Sequence, residues 1–424
     1  MIGKEMYALC EKLFPYCRSI TGNGTRQTLN DLQYIFPTMK ICSVPSGTQV
    51  FDWVVPDEWN IYDAWIKNEE GEKIIDIKKS NLHVLGYAEP IDKIFSLEEL
   101  NKILYTQPEQ PNVIPYVTSY YKRRTGFCMS ENQRKTLQEG KYHAFIDSEF
   151  KKGVLNYGEI IIPGESKQEI LLSTYICHPS MANDNLSGIA VAIYLAKWIK
   201  DMKNRRYTYR ILFVPETIGA ITYISKHYKQ MKENIIAGFT LSCVGDDKSF
   251  SYIESRYGNT LSDRVAQNVL RFYYPNYVRY TFLDRGSDER QYGAPLVDLP
   301  VCSICRTKHG AFAEYHTSDD NLELISPEGL QGAYEVYKKC VETIEVNRIY
   351  RVRCLGEPFL SKYDMYPTKS QKTNYGNTQD ITNFIAYADG TNDLLSISDK
   401  IGVSVRLLSQ IAKRLESNHI IESL

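Results

Sequence analysis

Imidazole and carboxylate side chains recur near the ends of apolar runs in this chain. His178 follows the β-rich run Ile170–Cys177, and Asp184 comes six residues later within Ala-Asn-Asp-Asn-Leu-Ser-Gly. Glu216 ends a second apolar run, and His316 lies in the polar stretch Glu-Tyr-His-Thr-Ser-Asp-Asp. Zinc favours such imidazole and carboxylate ligands, and a catalytic zinc site holds three protein ligands with one position open to water.

These residues predict a metal site when they are taken together. A lone histidine in a loop is usually solvated or hydrogen-bonded. Here two of only seven histidines, His178 and His316, fall in loop-like motifs beside carboxylates such as Asp184. Glu216 taken alone would be interpreted as a cap for the turn that follows it. Beside a metal it becomes the natural base for deprotonating water.

A third candidate region is the charged cluster Asp284–Tyr292, which follows a strand-like run. One interpretation is an exposed charged turn without a role in chemistry. The other is that Asp288 and Tyr292 support the site or contact substrate. The five remaining histidines, including His309, lack comparable neighbours and are interpreted as structural or surface residues.

Strands and helices must alternate to bring these residues together. From about residue 155 to 351 the apolar spacing predicts strands between helices, and the helices lie near 188–203, 217–231, 260–273 and 326–345. This alternation predicts a mixed or parallel sheet covered on both faces. Ligands of open α/β sheets bind at the carboxyl ends of the strands, where His178 and Glu216 fall.

At 424 residues the chain is longer than one hydrophobic core usually covers, so we expect several domains. We predict an α/β domain from residues 1–41 and 130–354, an inserted β domain at 42–129, and a winged-helix-like domain at 376–424. A Pro- and Gly-containing stretch at 355–379 is predicted to be a linker. The third helix of the last domain carries mixed charge, which favours contact with a protein partner or self-association over nucleic acid.

The composition and net charge indicate which partners and which cellular location to expect. The formal net charge of −1 gives no reason to expect a polyanion or a membrane surface as partner. The first residues lack the apolar run of a signal peptide, and no stretch approaches the length that spans a bilayer, so we expect neither a secretory leader nor a membrane span. Ten cysteines without a framework pattern suggest reduced thiols and a cytoplasmic location. The lone pair Cys302 and Cys305 is interpreted as structural, with metal or redox chemistry as the alternative.

The chain resembles the zinc aminopeptidases of the clan that includes bacterial leucyl aminopeptidases and glutaminyl cyclases. Five motifs occur in the order of that family: Cys177-His178, Ala182–Gly188, Glu216–Gly219, Gly286–Asp288 with Tyr292, and His316–Asp320. The resemblance implies a three-layer α/β sandwich with a mixed sheet, as in zinc exopeptidases. The β insertion and the winged-helix tail are similar to an aminopeptidase-like bacterial variant of that fold.

The resemblance also implies roles for single residues. Glu216 matches the general base, and Asp320 matches the acidic residue that follows the last histidine ligand. The ligands that remain are His178, Asp184 and His316. The family's other two metal ligands are replaced here by Thr217 and Ser242, neither of which carries a carboxylate. We therefore predict one zinc ion, with two ions as the alternative.

Two functions follow from these observations. The first is a zinc-dependent aminopeptidase or related amide hydrolase that acts on a peptide or small amide, with Glu314 or Asp288 holding the substrate ammonium. The second is a non-catalytic binding or regulatory protein built on a degenerate aminopeptidase domain. Retention of Glu216 favours the enzyme, whereas the replacement of two ligands favours the binding protein.

Overall fold

The structure is a computed structural model that describes residues 2–365 and 376–424. Its α-helices are α1 (Ile2–Leu13), α2 (Asn23–Ile35), α3 (Leu97–Asn101), α4 (Glu131–Lys135), α5 (Ser187–Asp201), α6 (Ile218–Asn234), α7 (Leu261–Tyr273), α8 (Glu289–Tyr292), α9 (Pro327–Val346), α10 (Gly376–Tyr387), α11 (Leu394–Ile401) and α12 (Val405–Ser417). Its strands are β1 (Lys40–Pro45), β2 (Gln49–Val50), β3 (Trp53–Val54), β4 (Glu58–Lys67), β5 (Lys73–Asp76), β6 (Ile91–Ser96), β7 (Leu104–Tyr105), β8 (Phe127–Cys128), β9 (Lys141–Lys151), β10 (Val154–Ile162), β11 (Glu169–Tyr175), β12 (Thr208–Val214), β13 (Ile235–Thr240), β14 (Ser251–Ile253), β15 (Val278–Tyr280), β16 (Val301–Cys305), β17 (Ile349–Val352), β18 (Asp389–Asp393) and β19 (Ile421–Ser423).

The main sheet has eight strands in the order β1-β10-β12-β11-β13-β16-β14-β15. β11 lies between β12 and β13 and runs parallel to both. All seven of its residues are buried, as its nearly continuous apolar sequence requires of a strand that is covered on both faces. The sheet is mixed, because β1 and β12 pair antiparallel with β10.

Helices cover both faces of this sheet. The chain passes from β11 through α5 to β12 on one side, and from β12 through α6 back across β11 to β13. Parallel crossovers are right-handed, so connections that run in opposite directions place α5 and α6 on opposite faces. α1 packs against α5. The predicted three-layer mixed α/β architecture is thus confirmed, and β11 is the strand at which the winding changes direction.

A smaller sheet of four strands, in the order β5-β4-β9-β6, has its own apolar core around Ala64, Ile66, Phe95 and Ile146. The predicted insertion at 42–129 contains β4, β5 and β6. β9, which pairs with both β4 and β6, lies beyond it at 141–151. β1, at the start of that range, pairs in the main sheet instead.

Contacts divide the chain into two compact units. The second contains residues 261–277 and 335–424, including a three-stranded sheet in the order β18-β17-β19 with α10, α11 and α12. This is the predicted winged-helix architecture. Capping residues begin two of its helices: the Asp393 side chain accepts from Ser396 N at 2.8 Å, and Ser404 Oγ accepts from Leu407 N at 3.4 Å. Within the same unit Arg264 forms a two-pronged hydrogen bond with Asp393.

Strand β17 precedes the predicted linker at 355–379, and residues 366–375 of that linker lie outside the described residues. The domain boundaries inferred from the sequence stay a prediction. All ten cysteines are free thiols, and both Cys302 and Cys305 are buried in β16. Within 2–365 and 376–424, no helix has the length and apolar character needed to cross a bilayer.

Candidate metal and catalytic site

His178, Asp184 and His316 come from three segments of the chain and meet at the carboxyl end of β11. His178 lies three residues beyond that strand, Asp184 lies in a π-helical turn before α5, and His316 lies in the loop before α9. One ligand atom from each lies within 4.8 Å of the other two. The two imidazole rings have their centroids 5.5 Å apart.

Two atoms of this group fit a metal because they have no other partner. Asp184 Oδ2 and His316 Nε2 lie 3.1 Å apart. Both atoms are buried, and neither makes a hydrogen bond. Buried polar atoms are nearly always satisfied, so two such atoms side by side are suited to hold a cation. The donor set of two imidazoles and one carboxylate suits zinc.

The protonation of the group is also that of a ligand set. Burial lowers the pKa of His178 to about 4, so its ring is neutral near pH 7. Burial opposes ionisation of Asp184, but His178, His316 and the Tyr175 hydroxyl together hold its pKa well below the usual value. Tyr175 donates a hydrogen bond to Asp184 Oδ1, which leaves Oδ2 for a cation. Metal ligands must be neutral imidazole and ionised carboxylate, and His178 and Asp184 meet these conditions.

The loop that carries Asp184 is held by Asp320, which is fully buried. Asp320 Oδ1 accepts a hydrogen bond from Asn183 N at 2.6 Å, and its Oδ2 accepts from Asp184 N at 2.9 Å. The Asp320 carbonyl accepts from Ala182 N at 2.9 Å. The carboxylate therefore fixes the backbone from which Asp184 projects. Burial and the Asp184 charge raise the pKa of Asp320 to about 8.

We expect Asp320→Asn to destabilise the fold. An asparagine keeps one acceptor oxygen and places an amide group against the second N–H, which is left buried without an acceptor. This costs about 1–3 kcal/mol, measurable as a lower free energy of unfolding in urea. The matched control is Asp319→Asn, because Asp319 is exposed and surface changes stay within about 0.5 kcal/mol. Equal stability of the two variants would contradict this role.

Glu216 lies two residues beyond β12 and faces the same site. Its Oε2 is 3.8 Å from His178 Nε2, and its side chain is 23% exposed. Its own N–H donates to Cys177 Sγ at 3.2 Å, and the next N–H, of Thr217, donates to Asp288 Oδ1 at 2.8 Å. Burial, followed by the charges of Asp288 and Asp184, raises the pKa of Glu216 well above its usual value. The carboxylate is held at the mouth of the site without belonging to the ligand group.

The resemblance implies that Thr217 and Ser242 replace two metal ligands of the related enzymes. In the structure their side chains contact groups other than carboxylates. Thr217 Oγ1 accepts a hydrogen bond from Arg290. Ser242 is buried, with its hydroxyl 4.0 Å from Cys305 Sγ. Within the described ranges, the His178, Asp184 and His316 group is the one cluster of three ligands. The count of one ion stays a prediction.

The other residues predicted for the site have different surroundings. Asp288 is fully buried and braces the Thr217 backbone. Tyr292 is also fully buried, and its hydroxyl hydrogen-bonds to Ser173 Oγ at 2.8 Å in the sheet. Glu314 pairs with Lys248, whose Nζ lies 3.1 Å from both carboxylate oxygens. Tyr292 and Glu314 thus each have a protein partner for their polar atoms.

Sequence reasoning missed Tyr116, which brings the inserted segment into the site. Its ring centroid lies 5.3 Å from that of His178 and 5.2 Å from that of His316. Its N–H donates to the His316 carbonyl at 2.9 Å, next to a β-bridge between Pro115 and Thr317. Its hydroxyl is 2.8 Å from that of Tyr120. The sequence shows several tyrosines in this stretch, but it does not indicate which loop they contact.

His309, which the sequence predicts to be a structural or surface residue, is buried in the structure. It is 6% exposed, and neither ring nitrogen has a hydrogen-bond partner in the described structure. Its ring lies against Gly286, where a Cβ atom would come within 2.2 Å of Nε2. Glycine at 286 is therefore required by this close approach.

Comparisons with known proteins agree with this geometry. Residues 7–347 match the model of a family described as a domain of unknown function, DUF4910, and residues 348–423 match a winged helix-turn-helix family. A Clostridium acetobutylicum protein, named provisionally as a polysaccharide biosynthesis protein with an aminopeptidase-like domain, is 43% identical over 417 residues, which are 97% of this chain and 95% of that protein.

Two solved structures are similar to this chain. A crystal structure from Clostridium acetobutylicum, titled provisionally as a peptidase, has a TM-score of 0.94 at 41% identity, covering 100% of this chain and 96% of that one. A zinc aminopeptidase from Bacillus subtilis has a TM-score of 0.58 at 12% identity, covering 81% of this chain and 95% of that one. At 12% identity, the similarity to the Bacillus subtilis enzyme shows that the two chains share a fold, which is the fold of zinc aminopeptidases.

Proposed function

The chain belongs to the DUF4910 family and ends in a winged helix-turn-helix domain, and on that premise we propose that it is a zinc-dependent amide hydrolase. The observation that carries the proposal is the pair of unpartnered buried atoms, Asp184 Oδ2 and His316 Nε2, with Glu216 at the edge of their group. A shared fold by itself does not imply a shared activity, so the proposal rests on this site.

Each residue has a separate task in the proposed reaction. His178, Asp184 and His316 would hold the metal. When bound, zinc supplies Lewis acidity that polarises an amide carbonyl and lowers the pKa of water toward about 7. Glu216 takes the proton of the attacking water and returns it to the leaving amine nitrogen. Tyr116 packs against the rings of both histidines and would help to hold them in place.

The surroundings of Glu216 support its role as the base. Its backbone is fixed on both sides, by Cys177 Sγ and by Asp288 through Thr217. Its carboxylate is directed toward His178. Helix capping does not explain this position of Glu216. α6 begins at Ile218, and its N-cap residue is Thr217, whose side chain makes no capping hydrogen bond.

The test joins metal analysis with a panel of amides. Protein purified without added chelator should contain about one zinc per chain, as three ligands and an open position imply. The same preparation should hydrolyse at least one class among aminoacyl amides, peptides and N-acylated amino sugars. The last class is included because the relative described above carries a name from polysaccharide biosynthesis. Chelation should abolish turnover, and added zinc should restore it.

A second function is favoured by a separate observation. Thr217 and Ser242 stand where the related enzymes have metal ligands, and their side chains contact Arg290 and Cys305. A degenerate site of this kind could bind a ligand without turnover, with the C-terminal domain contacting a protein partner. Full zinc occupancy with no turnover on any amide of the panel would favour this binding protein over the hydrolase.

A further inference from the structure

Arg290 places a positively charged group with a free donor beside Glu216. One of its terminal nitrogens, Nη2, donates a hydrogen bond to Thr217 Oγ1. Its Nε is buried and has no hydrogen-bond partner. Throughout the described parts of the chain, Arg290 takes part in no ion pair within 4.0 Å. A buried donor of a charged group that is left unpaired is costly, so the position implies an absent acceptor.

The carboxylates next to Arg290 in the sequence do not supply that acceptor. Asp288 uses Oδ1 to accept from Thr217 N at 2.8 Å. Glu289 uses Oε1 to accept from Gly286 N at 2.7 Å and from Ser287 N at 3.1 Å. Their other oxygens are buried without partners, yet neither forms an ion pair with the guanidinium. Both side chains brace backbone turns, so neither can turn to Arg290 without breaking those bonds.

The other cations of this region differ from Arg290. Arg18 is buried, and all three of its guanidinium nitrogens donate to carbonyl groups of Leu13 and His178. Lys248 pairs with Glu314. Arg18 and Lys248 are therefore structural, whereas Arg290 keeps an unused donor for a ligand.

The location of Arg290 ties it to the proposed chemistry. Thr217, which it contacts, directly follows Glu216. The guanidinium is therefore fixed next to the turn that carries the proposed base.

We propose that Arg290 binds a carboxylate of the substrate, so that the preferred substrate is an amide that carries a carboxylate close to the scissile bond. This inference rests on the proposed hydrolase function and names its substrate class. A guanidinium is a planar fork of donors that matches a carboxylate in a two-pronged arrangement. A free peptide C-terminus on the leaving side of the bond is the simplest group of this kind.

The inference differs from what the sequence alone predicted. That prediction placed a substrate ammonium against Glu314 or Asp288. Glu314 is paired with Lys248, and one oxygen of Asp288 holds the Thr217 backbone. Arg290 has an unused donor and no ion pair in the part of the chain that the structure describes. A cation selects for an anion in the substrate.

Leucyl-leucine and leucyl-leucinamide form a matched pair of probes that differ in the carboxylate. The zinc-loaded full-length protein should hydrolyse the first with the higher kcat/KM. Arg290→Gln should lower that preference by about 10- to 100-fold, since a hydrogen bond to a charged group is lost, and the loss should fall mainly on KM. Arg285→Gln is the control, because Arg285 is an exposed arginine of the same loop; it should keep the preference.

Binding gives a second readout that needs no turnover. By titration calorimetry, leucyl-leucine should bind wild-type protein more tightly than leucyl-leucinamide, with zinc and after chelation, and Arg290→Gln should remove the difference. That result without hydrolysis would sink the hydrolase proposal and leave the carboxylate site standing. The inference is overturned if wild type treats the two probes alike, or if Arg290→Gln weakens both equally, since the arginine would then only neutralise nearby acids.

Discussion

His316→Ala is expected to release the metal from purified protein. The change leaves His178 and Asp184 as two ligands, and Asp184 Oδ2 loses the neighbour that lies 3.1 Å away. Loss of a supporting residue around a ligand already weakens metal affinity by about 10- to 100-fold, so we expect loss of a ligand itself to exceed about 100-fold. The measurement is zinc per chain by elemental analysis after dialysis against a weak chelator.

The fold of this variant should survive, because the core of the main sheet does not include the His316 side chain, which is 35% exposed. An unchanged circular dichroism spectrum would show this. His143→Ala is the matched control, since His143 is 41% exposed in the smaller sheet and pairs with Asp92. Full zinc occupancy in His316→Ala with an intact fold would mean that the ligand group has been assigned wrongly.

The position of His178 and Asp184 could be predicted because the signal is local. A mostly apolar, β-rich run predicts a central strand, and the change to helical spacing after Gly188 predicts the helix that follows. Both features come from neighbouring residues, so the loop between them must lie at the carboxyl end of the sheet. The start of α9 could also be predicted from neighbouring residues. Ser326 stands just ahead of Pro327, and its Oγ accepts a hydrogen bond from Gly329 N at 2.9 Å.

The role of Tyr116 could not be predicted, because it depends on a contact between residues 200 positions apart in the chain. Tyr116 N–H donates to the His316 carbonyl, and no local pattern specifies which loop an irregular segment will pair with. The contact of Arg290 with Thr217 is of the same kind. In the sequence Arg290 is one charge in a cluster, and an exposed turn was an equally good interpretation. The unpartnered Nε is visible only in three dimensions.

The sequence also does not show which sheet β9 joins. Buried and less buried positions alternate along β9, and its sequence directly precedes β10 of the main sheet. Pairing with β4 and β6, not composition, assigns β9 to the smaller sheet. The register between strands depends on side-chain packing between residues far apart in the sequence. A single sequence does not show which residues make these contacts.

Glu216→Gln is expected to keep the zinc and lose about 10²- to 10⁴-fold in turnover, the usual contribution of a general base. Glutamine has the shape of glutamate, and the three ligands are on other residues, so metal content should not change. The backbone bonds that hold this turn, Glu216 N to Cys177 Sγ and Thr217 N to Asp288, do not involve the Glu216 side chain. The variant therefore removes the proton acceptor and leaves its surroundings in place.

Zinc stoichiometry and turnover, measured on one preparation, separate three roles for this carboxylate. If Glu216 is the base, zinc stays and turnover falls. If Glu216 is a metal ligand that reaches across the 3.8 Å to His178, zinc and turnover fall together. If it only ends the strand, neither changes, and full activity with zinc bound would falsify the mechanism. Glu233→Gln, an exposed substitution near the other end of α6, is the matched control and should leave both quantities at the wild-type level.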